Sequence, residues 1–358
     1  FFDRDRGAAA FGSLARLQDQ PHLALMLGDQ IYADATAGLL DPAGPVERYM
    51  RAHRKAFRNS RVHDLLARLP VVMTPDDHEF GDNHPGSAPL YRGHASTPTY
   101  AALRERALQR AARDALRAFQ TMTWPSRMGG MPPARPAPRT RRTRCTTFEP
   151  GAVRGIVFDT RSLRRAATAT KPGRILTGRQ RSAIEAWLRN SPPDALNLVC
   201  CGSVVLPGVV AGSDPANPGP PDSWQAAPAD RQWLLDQLTS RVPGRFVLVS
   251  GDYHVSGGAV IRQGAKAIGA TVIAPPFYAP LPYANEAPAS LDLGTVPLPG
   301  LALQAPFGPH RGSGFGVLTL QQRFEGSTFA GWTVRYDVEL LDMEEIGRHA
   351  SMTRAWTL

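Results

Sequence analysis

Cysteine and lysine are scarce in this sequence, and long apolar runs are missing. Three cysteines, Cys145, Cys200 and Cys201, occur in 358 residues. That odd number, without CxxC spacing, supports neither a disulfide framework nor a structural zinc site. Cys200 and Cys201 lie in the apolar run Leu198-Val199-Cys200-Cys201 and read as small buried hydrophobes. Lysine is confined to Lys55, Lys171 and Lys266 among 41 basic residues, so the net charge of +10 is almost entirely arginine. Beside 33 glycines and 33 prolines, this skew reads as compositional bias rather than as a surface selected for nucleic acid. A basic field would still speed the encounter with an anionic substrate. No apolar run approaches the roughly 18 residues that span a bilayer, and no internal repeat is evident. The chain opens Phe1-Phe2-Asp3 without methionine, which reads as a processed or truncated edge and leaves the compartment open between cytoplasmic and exported. What is present, 42% hydrophobic and 20% charged residues, suits a globular chain with a sizeable core.

Short apolar runs alternate with helical patterns. Residues 23–27, 71–73, 155–158, 196–201 and 246–249 read as buried strands, and residues 46–67, 98–121, 178–190 and 230–240 as helices, with Thr97-Pro98 as a cap and first turn. Residues 316–320 and 333–338 read as antiparallel strands near the end of the chain. The alternation predicts an α/β protein with sheets buried beneath helices. Three stretches, 125–144, 206–228 and 275–312, are rich in proline, glycine or arginine and read as long irregular loops.

The decisive pattern is positional, because several strand candidates end in acidic or histidine residues. These are Leu27-Gly28-Asp29, Met73-Thr74-Pro75-Asp76-Asp77-His78, Phe158-Asp159 and Ser250-Gly251-Asp252-Tyr253-His254. Ligands of open α/β sheets bind outside the carboxyl ends of the strands. Carboxylates converging there would repel one another unless a cation lay among them, and the Asp/His mixture suits a hard or borderline divalent pair. The glycines before Asp29 and Asp252 let the backbone turn sharply and approach closely. Two metals about 3.5–4 Å apart can clamp phosphoryl oxygens and generate hydroxide near neutral pH for in-line attack on phosphorus. His78, directly after two carboxylates that would keep it charged, suits the protonation of a leaving oxygen.

Residues 28–34 (GDQIYAD), 76–83 (DDHEFGDN), 158–162 (FDTRS) and 250–254 (SGDYH) resemble, in order and spacing, the motifs of PhoD-like alkaline phosphatases in the calcineurin-like metallophosphoesterase superfamily. The resemblance implies a two-sheet β-sandwich flanked by helices, a metallophosphoesterase-like αββα fold, with long Pro/Gly/Arg-rich loop insertions. It implies a dinuclear site at one edge and metal-dependent hydrolysis of phosphomonoesters or phosphodiesters. Carried over residue by residue, Asp29 is the bridging ligand. Asp76 or Asp77 stands in place of an asparagine ligand, and Asp252 and His254 are late ligands. His78 is the proton donor and is counted, with Asp77 and Arg161, among the catalytic residues. Arg161 would contact phosphate or pair with Asp159. The cofactors implied are two divalent or mixed-valence metal ions, drawn from calcium, iron, manganese and zinc. A small-molecule phosphate ester is the implied partner, nucleic acid only as a phosphodiester substrate. The family places an earlier strand with a Cys or Asp ligand ahead of the first motif. Residues 1–358 are therefore expected to form a single metallophosphoesterase domain without its first strand, with 84–145 as a helical or loop insertion. A tyrosine ligand between the first two motifs has its nearest counterpart in Phe57.

Other residues carry plainer readings. Asp29 alone could cap a helix, and Tyr32 and Asp34 could shape a rim, pack or cap a turn. Glu79 reads either as an orienter of a ligand or as a solvated residue. His53, His63, His84 and His94 read as surface residues, His84 with interest because it follows Asp82-Asn83. The arginine run 139–144 reads as a solvated loop, and Gly312, Gly314 and Gly316 as a turn. A non-catalytic phosphate-binding relative with an incomplete metal site, and a nucleic-acid-binding protein, are the alternative functions.

Overall fold

The computed structural model describes residues 9–33, 45–81, 98–120, 144–165, 170–209, 224–277, 291–292, 300–341 and 349–358. The first part of the chain supplies α1 (Ala9–Leu14), β1 (Ala24–Leu27), α2 (Pro45–Phe57), α3 (Ser60–Arg68), β2 (Val71–Thr74) and α4 (Pro98–Phe119). It continues with β3 (Cys145–Phe148), β4 (Val153–Phe158), α5 (Gly178–Arg189), β5 (Leu196–Cys201), β6 (Gly208–Val209) and α6 (Pro228–Arg241). The remainder is β7 (Phe246–Ser250), β8 (Val255–Gln263), β9 (Lys266–Ile273), β10 (Leu291–Asp292), β11 (Ala302–Arg311), β12 (Ser313–Glu325), β13 (Thr328–Leu341) and β14 (His349–Thr357). No described helix is long and apolar enough to cross a membrane.

Seven strands form one sheet in the order β11-β8-β9-β7-β5-β4-β3, in which β4, β5, β7 and β9 run parallel. Those parallel strands are apolar almost throughout because both faces of the sheet are covered. The period-two alternation sends Phe246 and Leu248 of β7 to one face and Val247 and Val249 to the other. The first face packs against Ile184, Trp187 and Leu188 of α5 and Leu234, Leu235 and Leu238 of α6. The opposite face packs against Trp332, Val334, Tyr336 and Val338 of β13 and Trp356 of β14, together with Leu27 of β1 and Val72 of β2. Beyond β1 and β2, Met26, Val71 and Met73 meet Phe11 of α1 and Leu65 of α3. The layers therefore run helices, sheet, sheet, helices, which is the expected αββα sandwich.

Several boundaries differ from the sequence reading. The helix expected over 46–67 is two helices, because Asn59 leaves the helical region (φ −63°, ψ 129°) and its side chain accepts from the backbone N–H of Arg61 to cap α3. The stretch 275–312, read as irregular, contains β11. Pro306 and Pro309 are tolerated there because β11 is an edge strand, and two register shifts against β8 absorb them. Gly314 and Gly316 lie inside β12 rather than in a turn. His53 is fully buried against α4 instead of on the surface. Its Nδ1–H donates to the Tyr49 carbonyl, and its ring lies nearly parallel to those of Phe57 and Phe119, with centroids 6.2 and 5.0 Å away. Burial lowers the His53 pKa to about 4, so the ring is neutral in the fold.

Candidate metal centre

The strands β1, β2, β4 and β7 end at one locus, and the connections leaving them are held in unusual backbone conformations. Gly28 has φ +96°, and a Cβ there would lie 2.5 Å from Cβ of Asp76, so this turn requires glycine. Gly251 approaches β1 across the two layers, where a Cβ would meet the Leu27 carbonyl oxygen at 2.5 Å. Both glycines do what the sequence reading asked of them. Three non-glycine residues next to them, Asp29 (φ 54°), Asp252 (φ 76°) and His254 (φ 53°), are also left-handed. Each such residue costs on the order of 1 kcal/mol, and strain gathered at one place marks a functional constellation.

Two overlapping groups of potential metal donors result among the described residues. Ligand atoms of Asp29, Asp77 and His78 lie within 4.8 Å of one another, and so do those of Asp76, Asp77 and Asp252. Asp77 is common to both groups, whereas Asp29 belongs to one. His254 lies outside both and joins through Tyr32, whose hydroxyl is 3.0 Å from its Nε2. The Tyr32 ring also packs against His78, with centroids 4.3 Å apart. Burial and the neighbouring Asp77 charge push the Asp29 carboxyl well above the usual carboxylate range, and burial pushes the Tyr32 phenol up as well. Such crowded acids ionise together only if positive charge joins them, and a divalent cation inverts this pKa pattern. The donor set of carboxylate oxygens, an imidazole and a phenol fits hard to borderline ions.

Arg161 supplies protein charge from beneath. It has no exposed surface, and its Nε donates to Asp76 Oδ1 at 2.9 Å. Its Nη2 lies 3.4 Å from Ser203 Oγ and 3.9 Å from Asp77 Oδ1. Ser203 in turn donates to Asp76 Oδ1 at 3.2 Å. The Arg161 guanidinium therefore reaches Asp76, Ser203 and Asp77. Asp159 accepts the backbone N–H groups of Arg161 and Ser162 through Oδ1 and an ion pair from Arg144 through Oδ2. Arg144 is the single residue of the 139–144 run among the described residues. Asp34, Asp82, Asn83, His84 and His94 also fall outside them.

Glu79 is buried, not solvated. Burial pushes its pKa up to about 8, offset by the backbone N–H groups of Asp76, Asp29 and Ile31 that it accepts. Phe57 packs with His53 and Phe119, and the phenol at the centre is that of Tyr32, three residues after Asp29. Ser203 escaped the sequence reading because β5 ends in neither acid nor histidine. The signal that marks it is its place just beyond the carboxyl end of a parallel strand, not its residue type. Both cysteines of β5 are buried as expected, and burial raises their thiol pKa values.

An αββα sandwich with a carboxylate–histidine cluster outside its strand ends defines a metallophosphoesterase-like protein. More specifically, the chain belongs to the PhoD-like phosphatase family, whose model matches residues 4–279. It is similar to a solved structure described as "Structure of PhoD", with a TM-score of 0.64 and 18% sequence identity. That similarity covers 98% of this chain and 66% of the other, so this chain spans just under two thirds of that protein's length. No curated protein matches the chain.

Proposed function

We propose that this chain hydrolyses phosphate esters, monoesters or diesters, with metal ions held by Asp29, Asp76, Asp77, Asp252 and His254. The observation that carries this reading is the pair of donor groups sharing Asp77 at the carboxyl edge of the sandwich, in a member of the PhoD-like phosphatase family. Metal ions in such a site would supply charge that clamps phosphoryl oxygens and acidifies water. The protein's own part is positioning and proton transfer. The backbone N–H of His78 lies 3.4 Å from Asp29 Oδ1 and its ring rests on Tyr32, which fixes the imidazole beside the carboxylates. From there His78 would hold the proton for the leaving oxygen, a contribution of about 10²–10⁴-fold. Arg161, buried against Asp76, acts as a positioning residue that fixes and partly neutralises that carboxylate.

The test is release of p-nitrophenol from its phosphate monoester and diester by the purified chain, after chelation and after addition of Ca²⁺, Fe²⁺, Mn²⁺ or Zn²⁺. Turnover with at least one ion, abolished by chelation and by Asp77→Asn, is the expected result. A folded wild-type protein that turns over neither ester with any ion, yet binds phosphate, would establish the non-catalytic alternative.

A further inference from the structure

Glu79 lies at the centre of a hydrogen-bond arrangement that spans every element carrying the first ligands. Its Oε2 accepts the backbone N–H of Asp29 at 3.0 Å, from the turn after β1. The same oxygen accepts the backbone N–H of Asp76 at 2.8 Å, from the turn after β2. Its Oε1 accepts from the Ile31 N–H at 3.3 Å and from Gln120 Nε2, just past the end of α4, at 3.2 Å. One carboxylate with no exposed surface thus joins two ligand-bearing turns to a helix distant in sequence. The apolar setting agrees: Ile31, Ala33 and Phe80 from the two turns pack into one cluster with Tyr49 of α2 and Leu108, Ala112 and Leu116 of α4. Further bonds brace it, from Tyr49 Oη to the Phe80 carbonyl at 2.9 Å and from the Ala33 N–H to the His78 carbonyl at 3.1 Å.

We infer that Glu79 is a positioning residue that presets the metal centre by clamping the Asp29 and Asp76 turns together, and that Gln120 makes this preset depend on the seating of α4. The inference rests on the metal-centre reading above. Its physical basis is that both oxygens face donors alone. A glutamine at 79 has the same shape but carries one NH₂, so either the Asp29 and Asp76 N–H groups lose their acceptor or, in the other orientation, the Ile31 N–H does, where the Gln120 amide can turn its oxygen to the new NH₂. Outer hydrogen-bond partners of metal ligands typically change metal affinity by about 10–100-fold.

The experiment measures Mn²⁺ and Zn²⁺ affinity by titration calorimetry and the Co²⁺ absorption spectrum of the metal-exchanged protein. It uses wild type, Glu79→Gln, Glu79→Asp and Gln120→Leu, each checked for folding by circular dichroism. Glu79→Gln is expected to lose about 10–100-fold in affinity and to shift the Co²⁺ spectrum. Glu79→Asp keeps the carboxyl group but shortens the reach, so it should not restore wild-type behaviour. Gln120→Leu, which leaves both Oε2 bonds in place, should lose affinity several-fold, and it reports on the clamp even where a Glu79 variant fails to fold. Metal binding by wild type that is unchanged in affinity and spectrum in Gln120→Leu and in whichever Glu79 variants fold would overturn the inference. So would a Glu79→Asp protein that behaves as wild type, since a carboxyl group without the reach of glutamate would then suffice. Absence of metal binding by wild type itself would instead overturn the metal-centre reading, and this inference with it.

Discussion

Neither Arg161 nor Asp76 has exposed surface, and they meet at 2.9 Å. A buried ion pair contributes little net stability, but breaking one strands a charge, which typically costs about 3–5 kcal/mol. Arg161→Met is therefore expected to lower the urea-denaturation stability of the metal-free protein by about 3–5 kcal/mol. A loss under about 1 kcal/mol would show that Asp76 finds its compensation elsewhere. His53 gives a second prediction with a definite sign. Its folded pKa, about 4, lies below its unfolded value of 6.5, so between those pH values the unfolded chain binds the proton more readily. Its contribution to stability is full above pH 6.5 and is lost as pH falls through that window, amounting to roughly 3 kcal/mol by pH 4. His53→Phe keeps the stack with Phe57 and Phe119 and should show a correspondingly flatter stability–pH profile than wild type between pH 6.5 and 4. Equal slopes for the two proteins would refute the assignment. At this scale Asp29, Asp76, Asp77, His78 and Asp252 were legible because acids and histidine stand out after apolar runs. Glu79, Arg161 and His53 were not fully legible, since burial of a polar group depends on partners up to 85 residues away in sequence.

Among the elements, α5 shows how a helix end is tied to the motif that carries Arg161. Thr177 Oγ1 accepts the Gln180 N–H at 3.2 Å, and Gln180 Oε1 accepts the Thr177 N–H at 3.0 Å, a reciprocal cap. The Gln180 Nε2 also donates to the Asp159 carbonyl at 2.7 Å, so the cap reaches into the turn after β4. Thr177→Ala removes one cap acceptor and should cost about 1 kcal/mol. Gln180→Ala also leaves the buried Asp159 carbonyl without this donor, and should cost more, about 2 kcal/mol. Thermal or urea melts that rank the two variants in the opposite order would contradict this link. The central strands and α5 were legible from sequence because strands buried on both faces are continuous apolar runs bounded by turn residues. β11 and the extents of β12 and β13 were not, since their pairings are set by distant neighbours: Trp332 of β13 bonds the Asp194 carbonyl, and Trp356 of β14 the Ala305 carbonyl. The α2–α3 break was written in Asn59-Ser60, but the amphipathic pattern runs through it and hides the cap.

For the whole molecule, the relevant quantity is net charge. At +10 the chain attracts anions from beyond contact distance, and salt shortens that reach from about 30 Å at 0.01 M to about 8 Å at 0.15 M. Steering acts on encounter, so it belongs in kcat/KM and not in the rate at saturation. It also scales with the charge of the incoming ligand. Raising salt over this range should therefore lower kcat/KM several-fold for a dianionic phosphate monoester, and less for a monoanionic diester, while kcat stays constant for both. Equal salt slopes for the two esters would show that the arginines do not generate a net attractive field toward substrate. A nucleic-acid-binding role for the same charge makes a different demand. Duplex affinity would fall log-linearly with salt, with a slope near −0.9 per phosphate neutralised, whether or not metal was bound. The two outcomes separate a steering field from a binding surface. Asp29, Asp76, Asp77 and Asp252 are gathered at one edge of the sandwich, where an incoming phosphate would meet the metal ions that those carboxylates are proposed to hold.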